Sequence, residues 1–372
     1  DFPFIGYADT TKDEESYAEV RNHAELQALL EEGQTPERLA LIGKGVNRAL
    51  LSQCVEAFPK LPSLRVSSTS LENEDLDELL GFSEMRNLAL YGTRDPLVFQ
   101  QWLLDLFPDE MNARITEKAL KRKAWCQNLV EFDTNSEFLH EEGSDQDPVR
   151  RLGAKFFHHY FKNVQRLGVS VRTLQRFLLD KASENVGGLV DMVPNLRHLR
   201  IYGPNILDAD LESLATSIRR RSFLIGDESG LAARWKLDSF WIDFTLAFKS
   251  EEDREDKIQS ERAIGFIRDG KLFDPHILKS LEIHRSLNYR HVFNTLYPAQ
   301  FQALEQLALT GASVLDSALQ HWSEALEASA LPSRLQVLSV RNTQVFGEPL
   351  LRLAGKLPAL RILDLENSRC PD

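Results

Sequence analysis

The chain has 372 residues, 42% hydrophobic and 27% charged, with a formal net charge of −12. That composition is ordinary for a folded water-exposed protein. It contains no run of about eighteen apolar residues, which excludes a membrane-spanning helix, and its acidity disfavours nucleic acid or an anionic membrane as the main partner. Three cysteines, Cys54, Cys126 and Cys370, are too few and too scattered for a disulfide framework or a zinc site. A reducing compartment, cytosol or nucleus, is the expectation.

The first stretch, Asp1-Phe2-Pro3-Phe4-Ile5-Gly6, lacks a basic segment and a long apolar run and is expected not to be a secretion leader. Residues 1–36 read as an N-terminal cap. From 37 onward one phrase recurs, Leu-x-x-Leu-x-Leu. It is plainest at Leu196-Arg197-His198-Leu199-Arg200-Ile201, at Leu304 to Leu309 and at Leu360 to Leu365. Met85 to Leu90 and Leu335 to Val340 repeat it with apolar swaps. In the second half of each phrase apolar and variable residues alternate, so a short strand buries one face and exposes the other. The middle apolar positions are Leu39, Leu64, Leu88, Leu167, Leu199, Phe240, Leu281, Leu307, Leu338 and Leu363, spaced 24 to 41 residues apart except for one gap of 79. That gap is expected to hold one degenerate repeat near Leu129-Val130-Glu131-Phe132.

Between strands the pattern turns helical. Asn73 to Leu80 and Asp208 to Ala215 each begin with a helix-capping residue and then place leucines three apart. Leu97 to Phe107, Val314 to Leu326 and Glu348 to Ala354 read as further helices. Pro62, Pro194, Pro332 and Pro358 each precede a strand, where they stop a helix and force extension. A strand too short to bury its own apolar face must stack on copies of itself. The expected architecture is therefore an α/β curved solenoid of about nine to eleven repeats, with parallel strands on the concave face and helices on the convex face. Irregular insertions fall around 92–163, 203–236 and 244–278. Two of them carry acidic runs, Glu141 to Asp147 and Glu251 to Lys257, and the first is expected to be a mobile loop.

These residues resemble the leucine-rich repeats of the ribonuclease-inhibitor-like and cysteine-containing types found in many F-box proteins. The matching stretches are Leu64 to Leu71 with Asp75-Leu76, and Leu199-Arg200-Ile201 with Ile206, Asp208 and Leu211. The resemblance covers about Glu37 to Cys370 and implies a leucine-rich-repeat solenoid. The ladder position that is often Asn or Cys in the family is Thr69, Pro204, Ala312, Thr343 or Ser368 here, and no F-box-like segment precedes Glu37.

The chemistry-bearing residues point away from catalysis. Ile42-Gly43-Lys44-Gly45-Val46-Asn47-Arg48 has the outline of a dinucleotide turn, but Arg48 stands where a third glycine belongs, and a repeat turn is the better account. His158 and His159 are adjacent and diverge by about 100° on a helix. His284 and His291 lack an acidic or cysteine partner to frame a metal site. No Gly-x-Ser-x-Gly elbow, Walker loop, His-Glu-x-x-His or Cys-x-x-Cys is present. The expectation is a non-enzyme with no cofactor and no metal. Arg114, Lys118, Lys121, Arg122 and Lys123 form the most basic run and Arg219-Arg220-Arg221 a second, read as solvated helix faces.

Alternation also names a binding face. If Leu199 and Ile201 point inward, Arg200 and Tyr202 point outward, and the same register brings out Arg65, Tyr91, Trp241, His284 and Arg341. Aromatic and arginine side chains most often anchor interfaces. For Trp241 the competing account is that an insertion folds over it. The leading function is a non-catalytic scaffold or substrate receptor that takes a protein or peptide across these seven residues, with no membrane partner. Its ubiquitin-ligase form is what the family resemblance implies. The alternatives are a nucleic-acid-associated adaptor using the basic run, and the repeat domain of an enzyme or microbial effector.

Overall fold

A computed structural model describes residues 17–68, 71–91, 117–134, 161–170, 193–202, 215–216, 234–243, 272–284, 301–310, 316–328, 333–341 and 347–366. The chain divides into two compact units, Asp1–Ser136 and Glu137–Asp372. The acidic runs, the second arginine run, His158, His159, His291 and the expected helix at 97–107 lie outside the described residues.

The first unit carries five strands: β1 (Ala18–Val20), β2 (Arg38–Ile42), β3 (Ser63–Ser67), β4 (Asn87–Tyr91) and β5 (Glu131–Thr134). Each pairs in parallel with the next in chain order. Between them run α1 (His23–Glu31), α2 (Arg48–Ala57), a 3-10 helix over Asn73–Gly81 and α3 (Glu117–Cys126). Parallel pairing follows from this order, because an intervening helix returns the chain to the same end of the sheet.

Local chemistry sets the bounds of these helices. Asn22 and Asn47 cap α1 and α2 through their side-chain carbonyls, which accept the N–H groups of Ala24 and Glu25 and of Leu50. The 3-10 helix differs from expectation at its start. Its cap is Glu72 rather than Asn73, and the Asp75 carboxylate accepts the Glu72 N–H at 2.9 Å. The Gly43-Lys44-Gly45 turn follows β2 as a repeat turn should. Gly43 has φ +99°, and a Cβ on Gly45 would lie 2.4 Å from the Arg21 carbonyl oxygen. Both glycines therefore answer to backbone geometry.

The second unit carries seven strands: β6 (Arg166–Ser170), β7 (His198–Tyr202), β8 (Ser239–Asp243), β9 (Ser280–His284), β10 (Gln306–Thr310), β11 (Val337–Ser339) and β12 (Ile362–Asp364). They too pair in parallel and in chain order. Helices α4 (Asp316–Ala328) and α5 (Gly347–Gly355) pack against each other, matching the helices expected at 314–326 and 348–354. The strands do not close into a barrel.

The recurring leucines explain the register. Leu39, Leu64, Leu88 and Phe132 lie side by side in the first unit, as do Leu167, Leu199, Phe240, Leu281, Leu307, Leu338 and Leu363 in the second. All but Leu363 are buried. Each contributes about 1.5–3 kcal/mol by leaving water, and a one-residue slip would turn the whole row outward. Phe132 on β5 places the degenerate repeat in the long gap where the sequence put it.

A backbone device repeats with the leucines. At eight of the middle apolar positions the carbonyl two residues before accepts two successive N–H groups from the following repeat. Pro62 and Arg86 do this in the first unit; Gln165, Arg197, Asp238, Lys279, Glu305 and Gln336 do it in the second. The spacing between repeats varies, yet this pairing does not, because insertions fall after the strand. Around β8 and β9 the pairing extends further back, through the Trp235–Phe273 bridge and the Phe240–Phe273 ring contact at 5.0 Å.

Candidate functional site

With the leucines turned inward, the alternate residues of every strand share the opposite face of the sheet. Two rows matter. In the first unit, Glu19, Ala40, Arg65, Ala89 and Asp133 follow one another across β1 to β5, and Ile42, Ser67 and Tyr91 form the row beside them. In the second unit the corresponding row is Gly168, Arg200, Trp241, Glu282, Ala308, Ser339 and Asp364. Beside it run Ser170, Tyr202, Asp243, His284 and Thr310.

The seven residues read from the sequence thus divide between the units. In the first, Arg65 stacks on the ring of Tyr17, its guanidinium carbon 4.4 Å from the ring centroid, with Arg38 at 5.9 Å from the same ring. The Tyr17 hydroxyl lies 3.3 Å from the Ser63 hydroxyl. Tyr91 donates its hydroxyl proton to the Asp133 carboxylate at 2.9 Å, and Asp133 is buried. Tyr17 and Asp133 were missed in the sequence: Tyr17 precedes the first leucine phrase, and Asp133 sits in the degenerate repeat.

In the second unit, Arg200 and Trp241 are register neighbours. Trp241 occupies its outward slot but is only 7% exposed, and Asp243 beside it only 2%. The Trp241 and His284 rings lie 4.9 Å apart at 40°. His284 Nε2 is 3.5 Å from a Glu282 oxygen, and the Gln306 amide donates to the other Glu282 oxygen at 3.4 Å. These contacts join β8, β9 and β10. The side chain of Tyr202 lies outside the described residues.

Arg341 follows β11 and reaches across to β12. Its Nε donates to Asp364 and its Nη1 pairs with Glu366 at 3.2 Å, while the Ser339 hydroxyl donates to Asp364 at 3.0 Å. Partial burial pushes the Asp364 carboxyl pKa up, but the hydrogen bonds from Arg341, the Glu366 backbone and Ser339 outweigh it and hold the group below its ordinary value. Among the described residues no group of three or more His, Cys, Asp or Glu is placed to hold a metal ion, and no helix is long and apolar enough to cross a membrane. Cys54 lies in the core of the first unit, where burial pushes its thiol up to about 12 and keeps it protonated near neutral pH.

No family model matches the chain, and no curated protein matches it.

Proposed function

We propose that this chain is a curved leucine-rich-repeat solenoid acting as a non-catalytic scaffold, with a protein or peptide partner laid across the outward face of its parallel strands. The observation that carries the reading is the register. It sets aromatic, arginine and carboxylate side chains in rows on one face of each sheet and keeps the leucines on the other. Solenoids offer such rows as extended binding surfaces, and Tyr, Trp and Arg supply most of the energy at typical interfaces. A substrate receptor of a ubiquitin ligase, in the cytosol or nucleus, is the specific form that the family resemblance implies.

The test begins with purification of a native partner and measurement of its affinity by calorimetry. Arg65→Gln, Arg200→Ala and His284→Ala on the strands are then compared with Leu351→Ala on α5. The strand variants should weaken binding about tenfold or more, with normal melting for Arg65→Gln and Arg200→Ala, and the helix variant should not. Unchanged affinity in all three strand variants would sink the sheet-face reading. A turnover of the bound partner by the purified chain would sink the non-catalytic one.

A further inference from the structure

Arg65 stands apart from the other charged groups on these faces. It holds the central slot of β3, in register with Ala40 on β2 and Ala89 on β4. Two alanines give it no lateral partner. The next residues of the row are Glu19 on β1 and Asp133 on β5, two strand spacings away on either side, or about 10 Å. Both are engaged elsewhere: Glu19 pairs with Arg21, and Asp133 accepts from Tyr91. Arg65 makes no ion pair among the described residues, and its Nε is buried without a hydrogen-bond partner. In a chain with 56 acidic and 44 basic side chains, an arginine so placed is exceptional, because leaving a buried charged donor unpaired costs stability.

Its geometry suits a ligand. Stacking the guanidinium on the Tyr17 ring at 4.4 Å fixes its position while leaving the in-plane N–H donors free of the ring. Tyr17 is itself held, its hydroxyl against Ser63. With Nε closed off, the two terminal nitrogens remain as a fork. On the β4 flank the small, partly exposed Ala89 leaves low ground, while Ala40 on β2 is buried.

We propose that Arg65 is the anchor for one carboxylate of a partner polypeptide, an Asp or Glu side chain on an extended segment lying over β3 and β4. This rests on the scaffold reading above and names the chemistry of its ligand. A carboxylate is planar and offers two oxygens to two parallel N–H groups, the arrangement arginine binds best. It brings a single charge to the Arg65 guanidinium. A phosphate would bring nearly two, between the carboxylates of Glu19 and Asp133 and against a net charge of −12.

The probe is the heptapeptide Gly-Ser-Val-Glu-Val-Ser-Gly, titrated into the millimolar range against the full chain with the Arg65 side-chain resonance followed by NMR. Counterparts with Gln or phosphoserine at the centre are measured beside it. The Glu peptide should bind about tenfold or more tightly than the Gln peptide, and the preference should fade as salt rises. Arg65→Gln should abolish the preference. Arg65→Lys, which keeps charge and stem but not the fork, should weaken it and serves if Arg65→Gln does not fold. Equal binding of the Glu and Gln peptides, or no binding of either, overturns the proposal. Tighter binding of the phosphoserine peptide overturns it in favour of a phosphate site. A native partner that binds Arg65→Gln with wild-type affinity but loses affinity for the other strand variants removes Arg65 and leaves the scaffold standing. A native partner indifferent to every strand variant, beside Glu-selective peptide binding, removes the scaffold reading instead.

Discussion

The outward faces of the two units use the same backbone register and reach opposite outcomes. On β2 to β4 the central row reads Ala40, Arg65, Ala89, so the charged group has small neighbours. On β8 to β12 it reads Trp241, Glu282, Ala308, Ser339, Asp364, with His284 and Arg341 close by. There, side chains on adjacent strands meet one another, Trp241 on His284, Gln306 on Glu282, and Arg341 and Ser339 on Asp364, while His284 also meets Glu282 along β9. Strands about 4.8 Å apart put neighbouring slots within reach. Whether a slot serves the fold or faces outward unpaired therefore depends on the residue one strand away.

If the second face is built from such contacts, removing its largest member should cost stability. Trp241→Ala is expected to destabilise by about 3–5 kcal/mol, the range for emptying a packed aromatic site, read by denaturant unfolding. A loss below about 0.5 kcal/mol, the size of a surface change, would place the ring in solvent and make the two faces alike. The internal standard is the inner row. Leu338→Ala should cost about 2–5 kcal/mol, since Leu338 is fully buried between Leu307 and Leu363. A surface-sized loss there would mean that the register itself is wrong.

The inward rows were legible because one strand carries its own signal: two apolar residues around a variable one. Even Phe132 could be placed from Leu129 and its neighbours. Helices α1 and α2 were passed over although Asn22 and Asn47 carry the same capping signal that located the helix after β3. With Glu25 three residues on, Asn22 follows the pattern of a capped first turn. The outward contacts could not be read in the same way. Each joins residues of different repeats, such as Gln306 with Glu282 or Tyr91 with Asp133, and the insertions between repeats obscure which residues become register neighbours. Arg65 and Trp241 both read as outward in the sequence, with burial under an insertion weighed for Trp241 alone. Only their neighbours, two alanines in one case and His284 in the other, separate them.

A smaller effect tests the edge of the first face. Tyr91→Phe deletes one hydroxyl and takes a donor from the buried Asp133 carboxylate. The expected loss is about 1–3 kcal/mol, measured by thermal unfolding at neutral pH. Replacing Asp133 as well, in Tyr91→Phe with Asp133→Ala, should show coupling, because the two residues share one bond. Strict additivity of the two changes would show that the bond contributes nothing to stability.

The smallest effect is a pH dependence at the far end of the second face. The folded-state pKa of Asp364 lies below its ordinary value near 3.8. A carboxylate depressed on folding adds stability that is fully present above the unfolded pKa and disappears as pH falls through the folded one. The contribution of Asp364 should therefore be intact at neutral pH and be lost at and below the ordinary carboxylate range. Asp364→Asn keeps the shape and can still accept from Ser339, but it has no charge for Arg341 or proton to gain. Melting curves of the two proteins, taken in steps from neutral pH into strong acid, should separate at neutral pH and converge in acid, the wild type losing more. Parallel curves over that range would show that Arg341 does not hold the carboxylate in solution. Arg341 would then keep only Glu366 as an ion-pair partner, and the contrast between the two faces would weaken beyond β10.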